Sequence, residues 1–350
     1  MHLTLGTDMT VAWSLGEEEP NVTEEVAWRC EVKLRAGEVW ERPRTLYVIA
    51  LRRGEVEERE LSHVAVKKLF APQLLQSLIQ KQVRRCEADS AVRAAWHLLR
   101  QDPVMFSRRL LNIVMEDSLI HPKGLLITWV MIAVSKGWKI DIGTAAQLLQ
   151  IVAEVAACPV HDVCIFDDIF LPGAIDTSPI EIAGTLEWMT STCLAVLIRV
   201  CYGGMKGDMK FLRCSVGLWR RRMEEGERAW TELVRKTWDG VGERIGRRYT
   251  ADLLCDDAHL QSLELREEDQ IGYAVDFHCF GRRFIDDIQR YVRQHSPGVT
   301  VASEEDIKSA VWYWRSGVYK KEALSSSEAP IDTATVRIRE GQRQGMDRTL

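Results

Sequence analysis

Doublets and triplets of arginine recur along this chain, and their guanidinium groups are the side chains best suited to chemistry with anions. Between Met205 and Thr250 the sequence holds twelve Lys and Arg residues against seven Asp and Glu residues, although the whole chain has a net charge of −5. Such a local excess of positive charge is typical of a surface that contacts nucleic-acid phosphates or an acidic protein. We therefore predict a nucleic-acid-binding set that comprises Arg84, Arg85, Arg108, Arg109, Lys206, Arg220, Arg221, Arg222, Arg247 and Arg248.

A second interpretation of the same arginines is structural. Exposed helix faces commonly carry arginines that pair with glutamates, and such pairs contribute little to stability. Arg108 and Arg109 lie among apolar residues of an amphipathic segment, so we expect one of the two to form an ion pair with Glu116 or Asp117. The sequence leaves both interpretations open.

The segment Tyr202–Asp208, which reads YGGMKGD, is a glycine-rich turn that places a lysine just before a predicted helix. Glycine amides at a helix N-terminus can bind an anion. The spacing matches neither a P-loop nor the dinucleotide-binding fingerprint, and Asp208 is expected to cap the helix that follows. The turn is interpreted either as a phosphate site that uses Lys206 or as a tight connection between two helices.

Cys158, His161 and Cys164 have a spacing that could hold zinc. His278 and Cys279 could complete a tetrahedral set with them. Structural zinc sites usually show two clear ligand pairs, however, and this sequence shows one. We therefore assign no metal ligand and no cofactor.

The dipeptide His161–Asp162 gives an alternative function, a metal-dependent phosphohydrolase of the all-helical His-Asp type. Such an enzyme holds divalent metals with separated His and Asp residues, and His121 and Asp208 stand in a permissible order around the dipeptide. No G-x-S-x-G motif is present, and no cysteine lies in a recognisable nucleophile signature. We assign no catalytic residue and expect a non-enzymatic protein.

The elements that would position these residues are mostly helices. Apolar residues at helical spacing and N-cap signals at Asp102, Thr144 and Ser303 predict a mainly α protein with a helical bundle-like core. Helices are predicted at residues 72–84, 90–101, 103–115, 122–136, 145–157, 180–201, 209–224, 226–246, 280–294 and 304–321. The predicted organisation is a small β-rich subdomain at 1–70, an α-helical domain at 71–322 and a disordered tail at 323–350, which is too polar to form a core.

The first 70 residues carry strand signals instead. Residues Val26–Leu34 alternate between apolar and polar, and Thr45–Leu51 is continuously apolar. Arg53–Glu55 predicts a turn after which Val56–Val66 returns, so we expect a hairpin within a small N-terminal antiparallel β subdomain. Because the neighbouring charges are acidic, the tryptophans of this region are expected in the core or at its rim, namely Trp13, Trp28 and Trp40.

Part of the helical region resembles a known family. Arg84 and Arg85 precede an alanine-rich helix, which is followed by DPVMFSRRLL and MEDSLIHP. Over residues 81–138 this order is similar to the C-terminal helical region of the replication-associated, clamp-loader-related AAA+ ATPases. The matching residues are Asp102, Pro103, Arg108, Arg109, Leu110, Glu116 and Asp117. The chain has no GxxxxGK[ST] loop, so the resemblance implies a helical oligomerisation and docking region without an ATPase motor.

Cysteine content and hydropathy suggest where the protein works. Nine irregularly spaced cysteines without a secretory signal predict a reduced, intracellular protein with buried thiols. The most apolar window, Ile180–Cys201, contains Glu181 and Glu187 and is interpreted as a buried helix, not a membrane span. We predict an interaction or assembly module that binds nucleic acid through basic helix faces, with a protein partner or self-association and no membrane contact.

Overall fold

Helices form most of the chain, and a small sheet lies near its N-terminus, which confirms the predicted mainly α fold class. The computed structural model describes residues 1–14, 16, 24–36, 39–54, 58–61, 70–162, 187–266, 269, 282–295, 298, 300, 301, 303–311 and 320–324. The predictions made for Cys164, His278, Cys279 and most of the tail concern residues outside these ranges.

The N-terminal sheet has four strands in the order β2-β1-β4-β3. They are β1 (His2–Leu5), β2 (Val11–Ser14), β3 (Val26–Leu34) and β4 (Arg44–Leu51). Strand β1 pairs antiparallel with β2 but parallel with β4, and β3 pairs antiparallel with β4. The sheet is therefore mixed, whereas the strand patterns alone predicted an antiparallel one.

The hairpin partner of β4 differs from the prediction. Strand β4 forms its hairpin with β3, which precedes it, and not with the residues that follow it. At Leu61, inside the predicted returning strand, the backbone N–H donates to the carbonyl of Ile140 at 3.1 Å, and the N–H of Ile142 donates to the carbonyl of Arg59 at 2.8 Å. The described part of this segment thus bonds to the helical layer. Continuous apolarity marked β4 as a central strand without specifying its neighbours.

The helical part begins after residue 70. Its elements are α1 (Pro72–Arg84), α2 (Ala88–Gln101), α3 (Pro103–Asp117), α4 (Gly124–Ser135), α5 (Ile142–Ala157), β5 (Val160–Asp162), α6 (Glu187–Tyr202), α7 (Lys206–Ile245), α8 (Asp257–Ser262), α9 (Arg282–His295), α10 (Glu304–Val311) and β6 (Glu322–Leu324). Helix α7 is kinked at Gly226, which agrees with the boundary predicted between two helices there.

Of the N-caps predicted at Asp102, Thr144 and Ser303, two are confirmed and one is wrong. The Asp102 carboxylate accepts a hydrogen bond from the Met105 N–H at 2.8 Å at the start of α3. Ser303 Oγ accepts from the Asp306 N–H at 3.1 Å at the start of α10. Helix α5 is capped by Asp141, whose carboxylate accepts from the Thr144 N–H at 2.7 Å, so Thr144 lies inside the helix. Asp and Thr are both favourable N-cap residues. Asp141 is the one that has the extended backbone conformation of an N-cap, with φ −90° and ψ 165°.

Helix α4 is apolar on all sides and is buried from Gly124 to Val134, as expected for a helix surrounded by other elements. On one side Trp129 Nε1 donates to the carbonyl of Ile49 in β4 at 3.1 Å. On the other side Thr128 Oγ1 donates to the carbonyl of Ala195 in α6 at 3.1 Å. One hydrophobic core therefore runs from the sheet through α4 into the helices. Trp28 packs edge-on against Trp129, and Trp13 and Trp40 also join this core, as predicted.

The C-terminal end of the described chain returns to the helical core. Strand β6 pairs in parallel with β5, and the Lys320 N–H donates to the carbonyl of Arg84 at 2.9 Å. The last helix does not continue to Lys321, because residues 320 and 321 are already non-helical. Of the predicted disordered tail, Ala323 and Leu324 lie in β6 and residues 325–350 are outside the described ranges.

Within the described residues, no helix combines the length and the apolarity that crossing a bilayer requires. The cysteines described there form no disulfide with one another, and Cys158, Cys193 and Cys214 are buried. Burial raises the pKa of the Cys193 thiol to about 12, so this thiol is unreactive.

Candidate anion-binding site

Some of the predicted phosphate-binding arginines lie inside the protein. Arg84, at the end of α1, is buried, and its Nε donates to Asp117 Oδ1 at 2.7 Å. Its Nη2 donates to Glu116 Oε1 at the same distance. These bonds join α1 to the C-terminal end of α3. The guanidinium is thus committed to two internal carboxylates, and its role is structural.

Arg222 forms a second internal ion pair. Its Nη1 and Nη2 both donate to the Asp162 carboxylate, the latter at 3.1 Å, and the two side chains are 5% and 1% exposed. The guanidinium lies against two indole rings that meet edge to face, 4.7 Å from the centroid of Trp219 and 4.3 Å from that of Trp230. This arrangement fastens β5 to α7 through a bidentate bond and two cation–π contacts. A phosphate could reach Arg222 only if it displaced Asp162.

The prediction that Arg108 or Arg109 enters an ion pair is confirmed for Arg109. Its Nη2 donates to Gln80 Oε1 at 2.6 Å and lies 3.8 Å from Glu116 Oε2. Its Nη1 lies 3.9 Å from Asp208 Oδ1. Arg108 is exposed, and its guanidinium lies 5.9 Å from the ring centroid of Tyr202.

The remaining members of the predicted set are spread over other elements. Arg220 donates to Glu224 at 2.9 Å along α7, and Arg248 donates to Asp89 at 3.0 Å. Arg85 is buried, Arg221 is half-buried, and Lys206 and Arg247 are exposed. The set therefore does not form a single face. Arg108 and Arg109 come together near the start of α7, where Lys206 lies.

These two arginines line a cavity of about 290 Å³ between α3, α6 and α7. The N-terminal ends of α3 and α7 both border it, and such ends carry a partial positive charge. A third arginine, Arg199 of α6, completes the cationic lining. The cavity is lined by Gln76, Asp102, Val104, Met105, Arg108, Arg109, Arg199, Gly204, Met205 and Asp208.

Arg199 is the most distinctive residue of this cavity. It is 3% exposed, and no carboxylate of the described residues forms an ion pair with it. Its Nη1 donates to the carbonyl of Gly203 at 2.5 Å, while its Nε has no hydrogen-bond partner in the described structure. Burial, assisted by the neighbouring Arg108, lowers the pKa of Arg199 to about 10. The Asp208 carboxylate favours the charged guanidinium without forming an ion pair with it. Burial of this cation therefore remains costly, and an anion in the cavity would relieve that cost.

The glycine turn between α6 and α7 allows this arrangement. Gly203 has φ +93°, a conformation that favours glycine. A Cβ on Gly204 would lie 3.0 Å from Arg199 Nη2 and 2.9 Å from Met209 Cε, so a larger residue would require these side chains to shift. Residues 203–205 form the short connection between α6 and α7, and the phosphate interpretation of YGGMKGD stays a prediction.

The start of α7 differs from the prediction in one respect. Asp208 does not cap the helix, because α7 begins at Lys206 and its N-cap residue, Met205, makes no side-chain capping bond. The Asp208 carboxylate instead accepts from Asn112 Nδ2 of α3 at 2.7 Å. Asp208 nevertheless lies in the first turn of α7, so its carboxylate still offsets part of the positive charge at this helix end.

The residues of the predicted phosphohydrolase are bonded to different partners. His121 Nδ1 accepts from the Lys123 N–H at 3.1 Å, so its Nε2–H donates to Glu154 at 3.0 Å. Asp162 binds Arg222, as described above, and burial lowers the pKa of His161 to about 4. Within the ranges that the structure describes, no group of three or more His, Cys, Asp or Glu side chains could hold a metal ion.

A larger cavity, about 1120 Å³, lies between the β1–β2 turn, α4, α5 and the end of α7. Arg247 and Lys123 line it together with Glu154 and Gln150. Gln150 is fully used inside the protein, because it donates to Glu154 and to the carbonyl of Gly246 and accepts from the Arg248 N–H. Gln150 and Glu154 of the larger cavity thus have internal partners, whereas the smaller cavity contains a buried cation, Arg199, that forms no ion pair.

Sequence reasoning missed Arg199, although a signal existed. It is the only Lys or Arg in the apolar window Ile180–Cys201, and a lone cation in such a window needs either a counter-ion or a ligand. Comparison with protein-family models, with curated proteins and with solved structures found no match to this chain. The resemblance to the AAA+ helical region therefore remains a prediction from its residues. Helices α1 to α4, which carry it, pack mainly against other parts of this chain.

Proposed function

We propose that this chain is a non-enzymatic interaction module that binds nucleic acid at the cavity between α3, α6 and α7, which we name the arginine cavity. One observation carries the proposal, namely that Arg199 is buried, lines one cavity with Arg108 and Arg109, and forms no ion pair with a carboxylate of the described residues. Three guanidiniums that face one cavity match the chemistry by which proteins bind phosphate groups.

The two acidic residues of the arginine cavity offset part of its positive charge, and Asp208 is itself an ion-pair partner of Arg109, because its Oδ1 lies 3.9 Å from Arg109 Nη1. Asp102 accepts the N-cap bond of α3, and Asp208 accepts from Asn112. Both carboxylates therefore have internal hydrogen-bond donors. Lys206, which is exposed in the first turn of α7, adds a further positive charge at the same end of the helix. These features support an anionic ligand over a cationic one.

The wider setting of the proposal comes from the sequence. The AAA+ resemblance implies a docking or self-association role, and described cysteines that form no disulfide with one another fit a reducing, intracellular compartment. Because helices α1 to α4 are largely enclosed, a protein partner or a second copy would contact only their exposed residues, such as Arg108.

The test is binding of a labelled single-stranded oligonucleotide, measured by fluorescence anisotropy across a series of salt concentrations. For single strands the logarithm of the binding constant falls with the logarithm of salt concentration by about 0.7 per phosphate contact. We expect Arg108→Gln to reduce this slope by about that amount and Arg199→Gln to weaken binding roughly tenfold.

The matched control is Arg220→Gln, which removes an arginine from α7 that does not line the arginine cavity. Circular dichroism verifies that each variant is folded. If Arg108→Gln and Arg199→Gln both bind like the unmodified chain, or if the unmodified chain does not bind, the proposal is wrong.

A further inference from the structure

The depth of the arginine cavity restricts which phosphate can enter it. Arg199 is 3% exposed, whereas Arg108 is exposed at the surface. A phosphate in the middle of a strand carries a sugar on either side, and these sugars hold it away from a recessed guanidinium. A phosphate at the end of a strand carries one sugar and projects freely, so it can reach the recessed group.

We propose that the arginine cavity binds the terminal phosphate of a nucleic-acid strand, an inference that rests on the proposed function. A terminal phosphate presents three oxygens and close to two negative charges near neutral pH. The cavity offers three guanidiniums together with the amides at the start of α7, where no side chain caps the helix. The Nε of the buried Arg199 has no hydrogen-bond partner in the described structure, so this guanidinium keeps a donor that a phosphate oxygen could accept.

The size of the arginine cavity fits this ligand. Its volume of about 290 Å³ lies at the lower limit of typical small-molecule sites, which begin at about 300 Å³. It can hold a phosphate and part of the attached sugar, but not several nucleotides. The remainder of the strand would therefore lie on the rim.

The rim has the composition that a terminal nucleotide needs. Met205 is 69% exposed and lines the cavity together with Met105. Thioether side chains are flexible and adapt to flat apolar surfaces. Next to them the Arg108 guanidinium lies over the Tyr202 ring, and arginine and aromatic groups are the usual stacking surfaces for unpaired bases. This rim favours a nucleotide over a phosphorylated peptide.

The experiment uses the full chain and three internally labelled oligonucleotides of one sequence, with a 5′-phosphate, with a 3′-phosphate and with hydroxyl groups at both ends. We expect one phosphorylated strand to bind at least tenfold more tightly than the hydroxyl strand. Inorganic phosphate should compete for this difference. Arg199→Gln should abolish it, and Arg220→Gln should leave it unchanged.

The outcomes separate this inference from the proposed function. If the three strands bind equally well, the terminal-phosphate inference is wrong while nucleic-acid binding stands. If none binds, both proposals fail. If a phosphoserine peptide binds as tightly as the phosphorylated strand, the cavity recognises phosphate monoesters without preference for nucleic acid, and the inference is wrong. Because the comparison of strands uses the unmodified chain, it remains decisive even if Arg199→Gln does not fold.

Discussion

Replacement of Asp162 by asparagine is expected to destabilise the protein strongly, although it changes a single atom of a side chain. Asp162 is the partner of Arg222, and both side chains are almost fully buried. The substitution leaves a guanidinium in the interior without its counter-ion. Removal of one partner from a buried ion pair typically costs about 3–5 kcal/mol in the free energy of unfolding.

The two indoles around Arg222 reduce this cost. They remain in place in Asp162→Asn, and a cation–π contact contributes about 0.5–2 kcal/mol, depending on how far it is desolvated. We therefore expect a loss of about 3 kcal/mol, near the lower end of the range. The double variant Asp162→Asn with Arg222→Met removes both charges and places a thioether against the two indoles. It should therefore recover most of the lost free energy of unfolding.

Urea denaturation measures these differences, with tryptophan fluorescence and far-ultraviolet circular dichroism as two independent probes of unfolding. Arg220→Gln is the matched control on the same helix, because its pair with Glu224 is exposed and should be worth less than about 0.5 kcal/mol. The reasoning would be refuted if Asp162→Asn cost no more stability than Arg220→Gln. It would also be refuted if the double variant lost as much stability as the single variants Asp162→Asn and Arg222→Met lose when their losses are added.

Three further perturbations test other parts of the structure. Gly204→Ala places a Cβ against the Arg199 guanidinium and should weaken oligonucleotide binding, whereas Gly207→Ala, with open space around its Cβ position, should not. Gly124→Ala would bring its Cβ within 2.5 Å of the Thr192 methyl group between α4 and α6, so its thermal unfolding should show a loss of about 1–3 kcal/mol. The pKa of His161 is about 4 in the folded protein against a reference value of 6.5, so the unfolded chain binds more protons between these values. Stability should therefore fall as the pH decreases from 6.5 towards 4, and His161→Gln should make this slope shallower in urea titrations at each pH.

Local signals in the sequence predicted most helices, because the information needed lies within a few residues. Asp102 followed by proline is an example, since a side-chain acceptor and a residue without an N–H suit adjacent positions at a helix start. The order of the strands in the sheet was harder to predict from the sequence than the helices were. The parallel pairing of β1 with β4 joins segments about 40 residues apart and depends on the helical layer that covers the sheet.

The fates of neighbouring arginines show why the candidate site was only partly predictable. Arg220, Arg221 and Arg222 are adjacent in sequence, but successive side chains on a helix point about 100° apart. Arg220 therefore pairs on the surface and Arg222 enters the core. Arg199 belongs to no cluster of basic residues in the sequence, so a local excess of positive charge does not reveal it. A lone cation in an apolar window would have been found by asking what pairs with it.

The return of β6 to β5 has a consequence for synthesis on the ribosome. The ammonium group of Lys321 is buried and donates to the carbonyl of Val155, 166 residues earlier in the chain. Until translation reaches Leu324, therefore, β5 has no strand beside it and the carbonyl of Val155 lacks this donor. Loop closure over such a separation is slow compared with helix formation, so this corner of the molecule is completed late in folding. A nascent chain that stops before Lys320 would leave the β6-facing edge of β5 unpaired, and such an edge can pair with a strand of another chain.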